Sequence, residues 1–521
     1  MGLIDLLTGI GTFVNGIATL LTVFKKQSAP DKKQYNAKFK YGLLDKNLNF
    51  VGRTNELKQI SKYLKKKNKI TIYGTGGYGK TQLANHYAHK NEKKYKCIIR
   101  INASSHIELK SDYKEIARQM GIAYEKNNPD YETILNDVNT QFTKYKNCLL
   151  IYDNVESLES REPYKEPINK YMPSNNFNGH ILICTQKSPS DKNKAVEIGI
   201  FSDFEAKDFL EKSITGINNK EIKKLSNELG RLPLALSSAA TYINNGNAVS
   251  VEGYISSFKE EIAILDASYK DDYDKIITTT WILTAKLLSE EARQFFNLCA
   301  YCSSSKIPLS LFIGGSSHLP PPLSDKLSKM SDVSALNHNP MLNELTKYNL
   351  LTRTTKTQSS EVYIHVHKVI QKTMVHTHKK NLEKLWLECC LNVARYNDYN
   401  SNNSDNVAKI RNALTIANYA RKSNHITYNS ISKIRWIYKK AKKVLNRNRY
   451  FSEEDKYLAE LEYVENDSGG TNKMKLETSK PPKSTENEPS PSSENETKQP
   501  EEETESPTKP ALNQKIKKQL S

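Results

Sequence analysis

The stretch that decides the fold is "KITIYGTGGYGKTQLANHYA", residues 69–88. A strand-like apolar run precedes a glycine-rich turn, and Gly79-Lys80-Thr81 then begins a pattern typical of a helix. The stretch fits G-x-x-x-x-G-K-[ST], whose glycines let backbone N–H groups turn toward phosphate oxygens beside a helix N-terminus. It therefore predicts a nucleotide phosphate site. The residues predicted to line that site are Gly74, Gly76, Gly77, Tyr78, Gly79, Lys80, Thr81 and Gln82.

A phosphate loop of this kind requires a carboxylate that helps to hold Mg²⁺. The apolar run "CLLIYDN", residues 148–154, supplies Asp153 where a buried strand ends. Lys80 is expected to contact the β- and γ-phosphates, while Thr81 and Asp153 ligate the metal. Lys80 and Asp153 are therefore the candidate catalytic residues. Asn154 follows, and an amide can hold a water molecule but cannot take its proton.

Short apolar runs alternate with helical patterns between residue 46 and about residue 200. Continuous apolar strands separated by helices indicate a parallel sheet that is buried on both faces. From residue 203 to about residue 460 the pattern is mainly helical, and two alternating runs within 350–367 predict a hairpin. The runs read as strands of the parallel sheet are 70–74, 96–102, 147–154, 180–186 and 195–200.

Taken together, the motifs resemble the NB-ARC branch of the STAND signalling ATPases, in particular its tetratricopeptide-linked members. Five further segments carry the resemblance in the family's order, and the resemblance covers residues 46 to 378. These segments are "FVGRTNEL" (50–57), "HILICTQ" (180–186), "LGRLPLAL" (229–236), "TTTWILTAKLLSEEARQFFNLCAYCSSSKIPLSLF" (278–312) and "YIHVHKVIQ" (363–371).

The resemblance implies specific contacts with ADP or ATP. Val51, Gly52 and Arg53 would hold the base and the phosphates. Pro233 would lie against the adenine, and His367 would reach the β-phosphate and lock a closed, ADP-bound form. The implied fold is an α/β P-loop NTPase domain followed by helical and winged-helix domains, then an α-helical region and a disordered tail.

Two positions depart from the family pattern, and both concern the γ-phosphate. Gln186 stands where the family has an arginine that senses this phosphate, and glutamine lacks the charged fork. Asn154 stands where a second acid is frequent. The residues expected to hold ADP are intact. The sequence therefore predicts a protein that binds nucleotide and hydrolyses it slowly or not at all.

Composition divides the chain into seven segments. Residues 465–521 are rich in Pro, Glu, Ser and Thr and hold too few apolar residues to form a core, which predicts disorder. The predicted segments are an apolar N-terminal helix (1–26), a linker (27–45), the P-loop domain (46–200), a helical domain (201–268), the winged helix (269–378), a helical region that resembles a truncated repeat sensor (379–464) and the tail (465–521).

Residues 1–24 carry apolar residues at helical spacing, and Asp5 is their only charge. Three readings stay open: a helix that associates with lipid or with other copies, a membrane span, or a helix docked on the protein's own core. No basic region of a secretory signal precedes the apolar stripe. Seven cysteines without disulfide-framework spacing indicate a reducing compartment. The predicted location is the cytoplasm, with membrane association through this helix as an addition.

Three functions are compatible with the sequence. The first is a signalling switch of the innate-immunity or cell-death kind, closed with ADP and forming homo-oligomers after exchange for ATP. The second is a nucleotide-regulated DNA-binding protein that uses the winged helix and the basic amphipathic stretch of residues 433–449, "KIRWIYKKAKKVLNRNR", in a chain whose net charge is +19. That pattern is also typical of a solvated face of a helical bundle. The third is an ATPase whose purpose is turnover.

Overall fold

The computed structural model divides the chain into two compact units, residues 1–244 with 248–256 and residues 245–247 with 257–521. The predictions for the apolar N-terminal helix and for the tail lie outside the described residues. The finer division into seven segments stays a prediction. The structure describes residues 38–104, 106–122, 131–155, 167–174, 177–245, 250–265, 269, 271–304, 306–330, 339–355, 361–378, 380–399, 404–423 and 428–446.

The first unit contains a six-stranded sheet in which all neighbouring strands are parallel. Its order is β1-β3-β4-β5-β2-β6, so the strand before the phosphate loop lies inside the sheet. The strands are β1 (Phe39–Tyr41), β2 (Lys69–Tyr73), β3 (Cys97–Asn102), β4 (Cys148–Val155), β5 (Gly179–Thr185) and β6 (Ala195–Glu197). The helices are α1 (Thr54–Leu64), α2 (Lys80–Lys90), α3 (His106–Gln119), α4 (Tyr131–Lys144), α5 (Asp203–Ser213), α6 (Asn219–Glu228) and α7 (Pro233–Asn245).

A hydrophobic cluster lies on each face of this sheet, because successive side chains of a strand point to opposite faces. Ile99 and Leu150 belong to one cluster, together with Phe142 of α4. Ile98 and Leu149 belong to the other, which includes side chains of α1 and α2. Burial on both faces explains why the strands read as continuous apolar runs. The predicted α/β class with a parallel sheet is confirmed.

The sequence predicts a linker over residues 27–45, and here the structure differs. Phe39–Tyr41 form β1, which pairs with β3 so that Phe39 lies opposite Cys97. Phe39 and Tyr41 also pack against the cluster that contains Ile99. A strand of three residues is too short to show a period, so its position depends on these contacts with distant residues.

The second unit combines helices with a three-stranded antiparallel sheet of order β7-β9-β8. The predicted hairpin is confirmed, with Arg353 opposite Ile364. The strands are β7 (Ile307–Pro308), β8 (Leu351–Thr355) and β9 (Val362–Val366). The helices from the unit boundary onward are α8 (Val251–Ile264), α9 (Asp272–Lys286), α10 (Glu290–Cys299), α11 (Ser310–Gly314), α12 (Leu323–Ser328), α13 (Pro340–Lys347) and α14 (Lys368–Thr377).

Three long helices pack together at the end of the described chain: α15 (Lys380–Tyr396), α16 (Ser404–Lys422) and α17 (Tyr428–Asn446). The basic stretch lies mostly on α17, where Ile434 and Ile437 are buried. Lys433 pairs with Glu388 of α15. The apolar stripe of this stretch is therefore used by packing between helices, as the bundle interpretation expects.

All seven cysteines are buried free thiols. Burial raises the pKa of Cys299 well above its usual value, so this thiol stays protonated and unreactive. In the parts of the chain that the structure describes, no three His, Cys, Asp or Glu side chains are grouped so as to hold a metal ion. Likewise, none of the helices seen in those parts has the length and apolar character needed to cross a membrane.

Candidate nucleotide-binding site

The phosphate loop connects β2 to α2, and its backbone conformation requires glycine. Gly74 has φ of 149°, and a Cβ there would stand 2.2 Å from the carbonyl oxygen of Ile198. Gly79 precedes α2 with φ of 95°, and a Cβ there would meet nothing within 4 Å. Close approach of another backbone therefore excludes a side chain at Gly74, whereas the left-handed backbone disfavours one at Gly79.

Lys80 begins α2 and folds back over the loop. Its Nζ donates to the carbonyl oxygens of Gly74 and Thr75, at 2.8 and 2.9 Å. Burial lowers its pKa, while Asp153 and Cys184 act in the opposite direction. Its positive charge is thus held against the loop by carbonyl oxygens, which a phosphate oxygen can replace as a stronger, charged acceptor.

The structure brings the two predicted metal ligands together. The Thr81 hydroxyl donates to Oδ1 of Asp153 at 2.9 Å, and Asp153 is 1% exposed. The strand is irregular between Tyr152 and Val155, and Asn154 has φ of 61°. Such a bulge changes the direction of the side chains around it. An adjacent hydroxyl and carboxylate are oxygen ligands of the kind that Mg²⁺ takes, so these residues fit the ion.

Arg100 of β3 is a site residue that no sequence motif predicts. Its Nε and Nη2 donate to Oδ2 of Asp153, at 3.0 and 2.6 Å. Arg100 lies opposite Ile151 in the parallel register, so its side chain leaves the same face of the sheet as that of Asp153, two residues further on. A signal was present in the sequence, because Arg100 is the one charged residue in the strand "CIIRIN".

The V-G-R segment is held by Glu205 of α5, which was also not predicted. The Arg53 N–H donates to Oε1 of Glu205 at 2.7 Å. Gly52 has φ of 61°, which disfavours a side chain, and a Cβ there would stand 2.4 Å from Oε1 of Glu205 and displace this carboxylate. Val51 is buried at the start of this segment.

The Arg53 side chain connects this segment to the phosphate loop. Its Nη2 donates to the carbonyl oxygens of Gly199 and Tyr78, at 2.7 and 3.3 Å. The guanidinium also lies over the Phe201 ring, 5.0 Å from its centroid. The contacts seen for Arg53 are therefore structural ties within the first unit, and its predicted contact with nucleotide stays a prediction.

The G-R-L-P segment approaches the same region. The Phe201 N–H donates to the carbonyl oxygen of Arg231 at 3.0 Å, and Arg231 pairs with Asp203 at 2.9 Å. Pro233 is the first residue of α7 and is half-buried. Residues 199–205 thus hold the V-G-R segment and the segment before Pro233, and Arg53 in turn contacts the phosphate loop at Tyr78.

The remaining predicted residues occupy separate positions. Gln82 of α2 accepts a hydrogen bond from Asn47 at 3.2 Å. Gln186, just after β5, and Asn154 are exposed. His367 belongs to the second unit, where its Nδ1 accepts from the Val369 N–H at 3.2 Å and caps α14.

Part of this site lies in a segment that is similar to a known family. Residues 50–169 match the model of a family described as Novel STAND NTPase 6. That range contains the V-G-R segment, the phosphate loop, Arg100 and Asp153. A Nucleotide-binding leucine-rich repeat (NLR)-like protein of Hyaloscypha variabilis is 24% identical over 277 residues, which are 46% of this chain and 28% of that protein.

Two solved structures match parts of this chain at low sequence identity. A STAND protein with a tetratricopeptide repeat sensor from Pyrococcus horikoshii covers 82% of this chain at 15% identity, with a TM-score of 0.44. The present chain spans 57% of that protein. AMPPCP-bound DnaA from Aquifex aeolicus covers 47% of this chain at 16% identity, with a TM-score of 0.30 and 83% of its own length matched.

Proposed function

We propose that this chain, in which residues 50–169 match a STAND NTPase family model, is a signalling switch of the NB-ARC kind that is controlled by adenine nucleotide. It is closed with ADP, forms homo-oligomers when ATP replaces ADP, and hydrolyses ATP slowly or not at all. The observation that supports it most is the meeting of the Thr81 hydroxyl and Asp153 beside the loop that Lys80 covers.

The residues of the loop account for phosphate binding. Its N–H groups and the N-terminus of α2 offer partial positive charge, and Lys80 offers a full one. When phosphate oxygens arrive, Lys80 exchanges the carbonyl oxygens of Gly74 and Thr75 for them, because hydrogen bonds to a charged acceptor are stronger. Thr81 and Asp153 would hold Mg²⁺, which when bound neutralises phosphate charge.

Slow hydrolysis follows from two exposed residues beside the site. Gln186 cannot give the γ-phosphate a charged, two-pronged donor. Asn154 cannot accept a proton from an attacking water. Steady-state turnover well below ~1 per second is therefore expected, and turnover at or above that value would instead support a working ATPase.

Control of shape rests on the family resemblance. It assigns ADP contacts to Pro233 and His367, and loss of these contacts on exchange would shift the population toward an open form. Nδ1 of His367 accepts a backbone N–H, so the proton of the neutral ring is on Nε2, the tautomer able to donate to a phosphate oxygen. The similarity to an NLR-like protein supports a role in signalling.

The N-terminal helix is the proposed effector. Oligomerisation would bring several copies of residues 1–24 together and raise their local concentration at a membrane or at one another. The protein would act in the cytoplasm, with membrane association through this helix. The antiparallel sheet of β7, β8 and β9 with its preceding helices is proposed to be the winged helix.

The direct test is the nucleotide that the full chain retains during purification. We expect ADP in the wild-type protein and none in Lys80→Ala, because the variant loses the full positive charge of the loop. Lys90→Ala is a matched control, since Lys90 is an exposed lysine at the other end of the same helix. A wild-type protein that is empty and does not bind adenine nucleotide on titration would overturn the proposal.

A further inference from the structure

Asp153, the proposed magnesium ligand, already has a positive partner inside the protein. Oδ2 accepts from both Nε and Nη2 of Arg100, at 3.0 and 2.6 Å. The Thr81 hydroxyl lies 2.9 Å from Oδ1 and 3.1 Å from Oδ2, and the Asn154 N–H donates to Oδ1 at 3.0 Å. One oxygen therefore has a charged partner, and the other has neutral donors.

The position of Arg100 is fixed by the sheet. Its side chain is 18% exposed and pairs with a carboxylate that is 1% exposed. Nη1 reaches the carbonyl oxygen of Gly42, which follows β1, at 3.4 Å. Gly42 in turn lies against the Arg100 backbone, because a Cβ on Gly42 would stand 2.3 Å from the carbonyl oxygen of Arg100. Arg100 is thus held between the edge strand and Asp153.

A guanidinium in this place weakens the attraction of Asp153 for a divalent cation. Mg²⁺ binds carboxylate oxygens at about 2.0–2.1 Å and tolerates little distortion of its octahedral shell. It would have to share Asp153 with a fixed positive charge, and repulsion between cations is strong where water is largely excluded. The loop N–H groups and Lys80 attract phosphate by charges of their own, so ADP does not depend on the ion to the same degree.

From this geometry, and resting on the proposed nucleotide function, we propose that Arg100 is an internal counter-ion of Asp153. Because of this pairing, the affinity of the site for a nucleoside diphosphate depends little on Mg²⁺. Hydrolysis of the γ-phosphate relies on that ion. Arg100 therefore slows ATP hydrolysis, as Gln186 and Asn154 do.

The test compares affinities for a fluorescent ADP analogue, measured on the nucleotide-free full chain in excess Mg²⁺ and in excess EDTA. In the wild-type protein we expect the two dissociation constants to agree within about threefold. In Arg100→Gln, Mg²⁺ should tighten binding by about tenfold or more. Arg118→Gln is a matched control, because Arg118 is an exposed arginine of the same module that is bonded to Glu115, and it should behave as the wild type does.

The outcomes separate this inference from the proposed function. A wild-type protein that loses about tenfold or more of its ADP affinity in EDTA overturns the role of Arg100 while the switch stands. A protein that binds ADP in neither buffer overturns the proposed function itself. If Arg100→Gln does not fold, Arg100→Met keeps the apolar stem and serves the same comparison. Unchanged insensitivity to Mg²⁺ in either folded variant contradicts the inference.

Discussion

At the scale of single residues, Glu205 holds two parts of the first unit together. Oε1 accepts from the Arg53 N–H at 2.7 Å, and Oε2 accepts from the Ser202 N–H at 2.9 Å. The second bond completes a capping box at the start of α5. Burial raises the pKa of Glu205, but the N–H groups of Arg53 and Ser202, the Arg53 charge and the Ser202 hydroxyl together lower it by more, so the net shift is downward. The ionised carboxylate is therefore the form that holds the V-G-R segment.

We predict that Glu205→Ala lowers the free energy of unfolding by about 2 kcal/mol, because it removes a helix cap and a charged hydrogen bond to Arg53. Glu221→Ala is the matched control. Glu221 occupies the same capping-box position at the start of α6, and its loss should cost about 1 kcal/mol. Urea denaturation measures both. Equal costs would show that the bond to Arg53 contributes nothing, and only Glu205→Ala should weaken ADP retention.

The sequence predicts some site residues and misses others for a physical reason. Lys80 and Thr81 belong to one local motif, and Asp153 follows an apolar run that ends a strand, so neighbouring residues are enough to find them. Arg100 and Glu205 act through contacts 53 and 152 positions away along the chain. Those contacts depend on the register of β3 against β4 and on the packing of α5, which no local pattern contains.

At the scale of elements, α10 and the end of α14 are joined by a half-buried histidine. His378 lies between the Tyr301 hydroxyl, 2.8 Å from Nδ1, and Oδ1 of Asn297, 3.1 Å from Nε2. An amide oxygen only accepts, so Nε2 carries the proton and Nδ1 accepts from Tyr301. Burial lowers the pKa of His378 to about 4. The ring of His378 is therefore neutral in the folded second unit.

The lowered pKa of His378 predicts that the folded chain loses stability in acid. Its pKa is lower in the folded state than the usual value of about 6.5 in the unfolded chain, so the unfolded chain takes up the proton first. The free energy of unfolding is therefore unaffected by this group above pH ~6.5, and it falls by on the order of 3 kcal/mol as the pH falls toward ~4. Denaturant unfolding across this range should show the slope, and His378→Phe should reduce it. An equal slope in the variant would assign the effect to other groups.

Elements differ in how far the sequence predicts them. The buried strands of the first sheet and the hairpin of β8 and β9 are found because their apolar runs have a length and period of their own. Strand β1 is missed because Phe39–Tyr41 contribute only three residues, and pairing with β3 determines their conformation. The basic stretch on α17 has two readings in sequence, and only its packing partners α15 and α16 show how its apolar stripe is used.

At the scale of the whole molecule, we propose that the bound nucleotide sets the shape of the chain. The first unit contains the loop, Asp153 and the segments gathered at residues 199–205, and the second contains His367. The family resemblance implies that ADP favours the closed form and that ATP favours assembly. The sequence predicts these components through their motifs, whereas the balance between the two forms is a free-energy difference that no motif encodes.

The most direct test is the mass of the full chain in solution by light scattering, with ADP and then with a non-hydrolysable ATP analogue. We predict a monomer with ADP and a larger assembly with the analogue. His367→Ala should form the larger species even with ADP. His376→Ala, which changes an exposed histidine of the same helix, should not. The same mass with both nucleotides, in the wild-type protein and in His367→Ala, would contradict the switch.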